Sequence, residues 1–100
     1  GYDINSKDEQ YGHTAAHIAA GRGFNAMLGW LLDNKANVNA LNNDGKSPLH
    51  LCALRGEAEA ARMLLDAGAD TTLIDTKYGM TALDYAEANE KTEVEAMLKQ

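Results

Sequence analysis

Ser47-Pro48-Leu49-His50-Leu51-Cys52-Ala53 decides the fold, because the chain writes the same phrase three times. It stands earlier as Thr14-Ala15-Ala16-His17-Ile18-Ala19-Ala20 and later as Thr81-Ala82-Leu83-Asp84-Tyr85-Ala86-Glu87, at spacings of 33 and 34 residues. A fixed period in this range predicts a stacked array, in which each unit covers its apolar face only with a neighbour. Working outward, the same register carries Gly23 onto Gly56, Leu31-Leu32 onto Leu64-Leu65, and Ala36-Asn37-Val38-Asn39 onto Ala69-Asp70-Thr71-Thr72.

The local signals agree with the period. Ser47 before Pro48 reads as a helix start, a hydroxyl to accept orphan amide hydrogens followed by a residue whose fixed φ suits the first helical position. Thr14 and Thr81 fill the same slot. Gly23 and Gly56 break the chain, after which Met27, Leu28, Trp30, Leu31 and Leu32, and then Ala60, Ala61, Met63, Leu64 and Leu65, recur at helical spacing. Gly68 reads as a left-handed helix stop. Between units, Tyr11-Gly12, Asn43-Asp44-Gly45 and Tyr78-Gly79 are tight-turn sequences. Each unit is therefore hairpin, short helix, turn, longer helix.

These residues resemble the ankyrin repeat, a unit of about 33 residues with a Thr-Pro-Leu-His-x-Ala core. The closest copy joins Ser47-Pro48-Leu49-His50 to Gly56, Leu64-Leu65 and Gly68-Ala69-Asp70. The first copy departs at Ala15, Ala16 and Lys35, the third at Ala82, Asp84 and Glu90. The resemblance implies an all-α repeat solenoid of stacked helix-turn-helix units with β-hairpin loops. The expected division is residues 1–13 as the tail of an upstream repeat plus a hairpin, repeats at 14–46 and 47–80, and a C-terminal capping repeat at 81–100.

The two ends read differently. Glu87, Glu95 and Lys99 replace the apolar or small residues of earlier copies, which predicts a solvent-facing cap. Gly1-Tyr2-Asp3-Ile4-Asn5 matches Gly68-Ala69-Asp70-Thr71-Thr72, the tail of a repeat, so at least one further repeat is expected upstream. Trp30, at an apolar helical position, is expected in the core, the alternative being exposure on the N-terminal face.

Composition fits a soluble intracellular domain, cytoplasmic or nuclear, with 45% apolar residues and a net charge of −6. No run of about 18 apolar residues predicts a membrane span, and no basic-then-apolar leader precedes the repeats. The acidic balance disfavours nucleic acid as a partner. Cys52 takes the small-residue slot of Ala19 and Ala86 and is expected to be an inert buried thiol.

Chemistry is sparse. His17 and His50 stand one repeat apart, which invites a metal pair, yet no carboxylate or thiolate joins them at ligand spacing. The resemblance implies a structural hydrogen-bonding histidine, with Asp84 a substitution in the same slot. There is no phosphate loop, no supported Ser-His-Asp set and no paired carboxylates, so no catalytic residue, cofactor, metal or small-molecule substrate is expected.

What remains is a recognition surface, placed by the resemblance at hairpin tips and the inner face of the first helices. Position by position it takes Tyr11, His13 and Arg22, then Lys46, Leu54 and Arg55, then Lys77, Tyr78 and Met80. With their neighbours Gln10, Gly21, Asn43, Asp44, Ala88 and Asn89 these positions carry +3, against −9 for the rest. The expected partner is a protein, through an acidic or phosphorylated segment. On the alternative reading, Arg22 and Arg55 merely oppose helix C-terminal dipoles, by about 0.3 to 1 kcal/mol, and Lys46 and Lys77 are solvated loop charges. A second function class is a regulatory or targeting domain of a larger enzyme or channel. A third, a designed binder, fits less well because framework positions differ between copies. The resemblance also implies hydroxylation at Asn39, which follows Val38 with Leu31 eight residues upstream, a context that asparaginyl hydroxylases accept; the alternative is a turn residue bonding the backbone.

Overall fold

In the computed structural model, which describes residues 3–100, the chain forms six short helices in three pairs. They are α1 (Ala15–Arg22) with α2 (Asn25–Asp33), α3 (Pro48–Arg55) with α4 (Ala58–Asp66), and α5 (Ala82–Ala88) with α6 (Thr92–Leu98). Gly1 and Tyr2, the first residues of the expected repeat tail, lie outside the described residues.

Each inner helix starts on a reciprocal cap. The Thr14, Ser47 and Thr81 hydroxyls accept the amide hydrogens of His17, His50 and Asp84 at 3.3, 3.4 and 3.2 Å. The cap amides in turn donate to His17 Nδ1, His50 Nδ1 and Asp84 Oδ2 at 3.1, 3.1 and 3.0 Å. This is a capping box in which histidine or aspartate does the work more often given to glutamate. Asp84 is thus a functioning cap residue and more than a tolerated substitution.

Gly23 and Gly56 end α1 and α3 in the left-handed region, at φ 71° and 74°. Lys35 (φ 68°) and Glu90 (φ 56°) hold that region too, where other copies have glycine. A Cβ there costs roughly 1–2 kcal/mol, which the packed turn imposes on both residues.

The inner helices stack α1 on α3 on α5, and the outer ones α2 beside α4 beside α6. The result is a slab 40 × 26 × 19 Å. Alanine lets the helices approach closely, since Ala16, Ala19, Ala20, Ala53, Ala60, Ala61, Ala82 and Ala86 all lie in the core with Leu28, Leu49, Leu64 and Val94. No strand forms among the described residues. Each hairpin is closed instead by a backbone bond from the Asp8, Asn42 or Asp75 amide to the His13, Lys46 or Met80 carbonyl, joined in the second and third by a return bond from the Gly45 or Gly79 amide.

Trp30 corrects the expectation that it belongs to the core. It is 61% exposed, on the N-terminal face with Ile18 and Met27, because its register position is one that a preceding unit covers in the later repeats. At the opposite end Lys99 Nζ lies 3.1 Å from Glu95 and 3.6 Å from Glu87, so the last face meets water through ions.

Candidate partner-binding face

Carboxylate or amide side chains shape the hairpins. Asp8 Oδ1 accepts the Tyr11 and Gly12 amides at 2.7 and 2.9 Å, and Asn42 Oδ1 those of Asp44 and Lys46 at 3.0 and 2.9 Å. Asp75 Oδ1 accepts the Met80 amide at 2.7 Å. Adjacent hairpins are laced by the Asn43 amide to the Tyr11 carbonyl at 2.9 Å and the Thr76 amide to the Asp44 carbonyl at 2.8 Å.

His17 and His50 tie the inner helices to these loops. Nε2 of His17 donates to the Lys46 carbonyl at 2.8 Å, and that of His50 to the Met80 carbonyl at 3.0 Å. A carbonyl can only accept and a cap amide can only donate, so the ring must be neutral with its hydrogen on Nε2. Burial pushes the His17 pKa down to about 4, against a weaker upward pull from the Lys46 carbonyl, and lowers that of His50 for the same reason. Both rings are fully occupied by these bonds. Among the described residues no group of three His, Cys, Asp or Glu could hold a metal ion.

Lys46 does not belong with the free cations. It is 6% exposed, and Nζ donates to Asp75 Oδ2 at 2.9 Å. Asp75 also accepts from the Tyr85 hydroxyl, and its side chain is fully buried. Burial alone would raise the Asp75 pKa, but the Tyr85 hydroxyl, the Met80 amide and the Lys46 ammonium outweigh it and hold the carboxyl well below its ordinary value. Lys46 is raised despite its own burial, chiefly by Asp75. Neither a partner contact nor a solvated loop charge describes this residue. It is half of a buried ion pair joining two hairpins, with Nζ 5.2 Å from the Tyr85 ring centre.

The other positions divide by exposure. Arg22 and Arg55 are exposed at the ends of the stacked helices α1 and α3, and neither has an acidic partner among the described residues. Tyr11 and Tyr78 are 55 and 66% exposed at hairpin tips, and Lys77 Nζ stands 5.6 Å from the Tyr78 ring centre. His13, Leu54 and Met80 are half-buried. His13 stacks between Tyr11 and His17, at 5.5 Å from each ring, so Tyr11 is held from beneath.

Asn39 is half-buried, and Oδ1 accepts the Asp70 amide at 2.8 Å. Cys52 is buried, its pKa pushed up to about 12 by burial, and its thiol donates weakly to the Ala20 carbonyl at 3.5 Å. It is an unreactive thiol.

Comparison with known proteins adds relatives to this geometry. The chain is 39% identical over 87 residues to BCL-6 corepressor-like protein 1 of Homo sapiens, covering 87% of this chain and 5% of that protein. It is 40% identical over 76 residues to protein phosphatase 1 regulatory subunit 12A of Mus musculus, covering 76% and 7%. With the nuclear factor NF-kappa-B p105 subunit of Gallus gallus it shares 38% over 71 residues, covering 70% and 7%. The chain therefore spans only about a twentieth to a fourteenth of these relatives. No helix of the described residues is long and apolar enough to cross a membrane. The family model for ankyrin repeats in three copies matches residues 1–75, and with the stacked, capped helix pairs this establishes that the chain belongs to the ankyrin repeat family.

Proposed function

We propose that the chain is a protein-interaction module whose hairpin tips and inner-helix ends take an acidic or phosphorylated segment of a partner. One observation carries this reading. Arg22 and Arg55 stand exposed at equivalent ends of neighbouring helices, without acidic partners among the described residues, on a chain of net charge −6. Exposed Tyr11 and Tyr78 with Lys77 supply aromatic anchors and a third cation. Guanidinium groups hold carboxylate or phosphate through paired charge-assisted hydrogen bonds.

An array of acidic and phosphorylated peptides tests it. Peptides that bind the wild type should lose affinity by about 30-fold or more with Arg22→Glu and Arg55→Glu together, while the thermal melt stays unchanged and added salt weakens binding. Affinity that survives the double reversal would assign both arginines to helix ends alone.

The short share of the relatives' length favours a second reading, a regulatory or targeting domain of a larger enzyme or channel, and on either reading the proposed location is cytoplasmic or nuclear. Asn39 is the proposed hydroxylation site on that reading. An asparaginyl hydroxylase given iron, 2-oxoglutarate and O2 should add one oxygen to the Asn39 peptide, and an unchanged peptide mass would withdraw the site. The Asn39–Asp70 bond has to open for this, so turnover should be slow.

A further inference from the structure

Arg22 and Arg55 supply more than two positive charges, because the stack fixes the interval between them. Arg22 is the last residue of α1 and Arg55 the last of α3, and each is followed by a glycine in the left-handed region, at φ 71° and 74°. The two helices meet closely toward these ends. Cys52 Sγ reaches the Ala20 carbonyl at 3.5 Å, and Leu51 Cβ stands 3.4 Å from where a Cβ on Gly21 would be. Packed helices have axes about 8 to 10 Å apart, and equivalent positions on stacked helices repeat at that interval. The corresponding end of α5 is neutral, Ala88 followed by Asn89, so the exposed helix-end arginines form a pair.

A segment lying across this pair must put its acids on one side at the same interval. In a β-strand, at about 3.3 Å per residue, side chains on one side fall about 7 or 13 Å apart, and neither fits. In polyproline II the chain advances about 3.1 Å per residue with three residues per turn, so residues i and i+3 share a side about 9 Å apart. An α-helix reaches a similar interval over seven residues, about 10 Å. Isolated helices shorter than about 12 residues are marginal in water, however, so a helix must first be ordered. Polyproline II is already populated in unfolded chains. Half-buried Leu51 and Leu54 on α3 give an extended chain apolar carbon to lie on beside the cations.

Given the partner-binding reading above, on which this step rests, we propose that the recognised segment adopts polyproline II and carries two carboxylates in a Glu-x-x-Glu spacing, one paired with Arg22 and one with Arg55. Each guanidinium then holds a carboxylate through two parallel charge-assisted hydrogen bonds. A single phosphate is the poorer occupant, since it would have to draw both side chains to one point.

Labelled proline-rich peptides of one length, with two glutamates at i,i+2, i,i+3 or i,i+4 or with a single phosphoserine, test this by fluorescence anisotropy at low salt. An alanine-rich helical peptide with glutamates at i,i+7 completes the set. The i,i+3 peptide should bind the wild type about 10-fold more tightly than the others, because only it engages both guanidinium groups without rearrangement. That preference should vanish with Arg22→Gln and equally with Arg55→Gln, while circular dichroism stays unchanged. Equal affinity for every spacing, still lost with Arg22→Glu and Arg55→Glu together, would overturn the spacing and leave the binding face standing. Tighter binding of the helical or the phosphoserine peptide, or no binding by any of them, overturns it as well. Binding of the i,i+3 peptide that survives the double reversal would remove the face itself, and this spacing with it.

Discussion

The caps of the first two inner helices are completed by a histidine and that of the third by an aspartate, and the difference matches the hairpin that follows each among the described residues. His17 and His50 have two jobs, since Nδ1 accepts from the cap amide while Nε2 donates to the carbonyl of the next hairpin. Asp84 does only the first, and no later hairpin follows it among the described residues. A carboxylate has no hydrogen for a carbonyl, so it can cap a helix but cannot bridge repeats. Two-ended residues thus join neighbouring units, and the one-ended residue stands in the last described unit.

The seams also differ from each other, and the largest expected effect tests that. Between the second and third hairpins lies the Lys46–Asp75 pair, where the preceding seam has His13 and the neutral Asn42. Removing one partner leaves the other charged and buried, which typically costs about 3 to 5 kcal/mol. Asp75→Ala should therefore lower the denaturant midpoint far more than Asn42→Ala, which removes an acceptor from two part-buried amides at about 1 to 3 kcal/mol. Equal losses would mean that the two seams are held alike.

Much of this was legible in the sequence. The period, the Thr14, Ser47 and Thr81 caps and the glycine stops are local signals, set by hydrogen-bonding and backbone preferences that act within a few residues. Lys46 was misread because its partner lies 29 residues away across a seam. Asp75 was overlooked, although its register with Asn42 marked it as the residue that opens the hairpin. Trp30 was misplaced because hydrophobic spacing tells which helix face is apolar and is silent on whether a neighbour covers it.

Acid sharpens the contrast between two-ended and one-ended caps. An unfolded histidine titrates near 6.5, whereas His17 in the fold is pushed down to about 4. The unfolded chain binds more protons between those values, so stability is full above pH 6.5 and is lost as pH falls toward 4, by about 3 kcal/mol from His17. His50 adds loss in the same direction. Asp75, also depressed, contributes stability that fades only below its unfolded value near 4. Urea unfolding at pH 7 and pH 5 should show the drop. His17→Asp with His50→Asp, which borrows the last repeat's cap, should flatten this histidine slope at the expense of the carbonyl bridges. An undiminished slope in that variant would assign the acid response to other groups.

The smallest effect on stability belongs to the end faces, where the consequence is association. Glu87, Glu95 and Lys99 occupy the positions of Ala53, Ala61 and Leu65 in the previous unit. Exposed ion pairs contribute about 0 to 1 kcal/mol, so Glu87→Ala, Glu95→Ala and Lys99→Leu together should move the melting temperature by only a few degrees. They would, however, give the last unit the seam-forming face of the second repeat, while Ile18, Met27 and Trp30 remain exposed at the other end. Two complementary and different faces make a head-to-tail contact, which does not close on itself and so extends. Light scattering should show concentration-dependent polymers, with Trp30 fluorescence shifting to the blue as they form. Restoring Lys99 alone should shorten them, because its ammonium would be desolvated in every joint. A triple variant that stays monomeric with Trp30 exposed would show that the ion cluster is not what keeps the two ends apart.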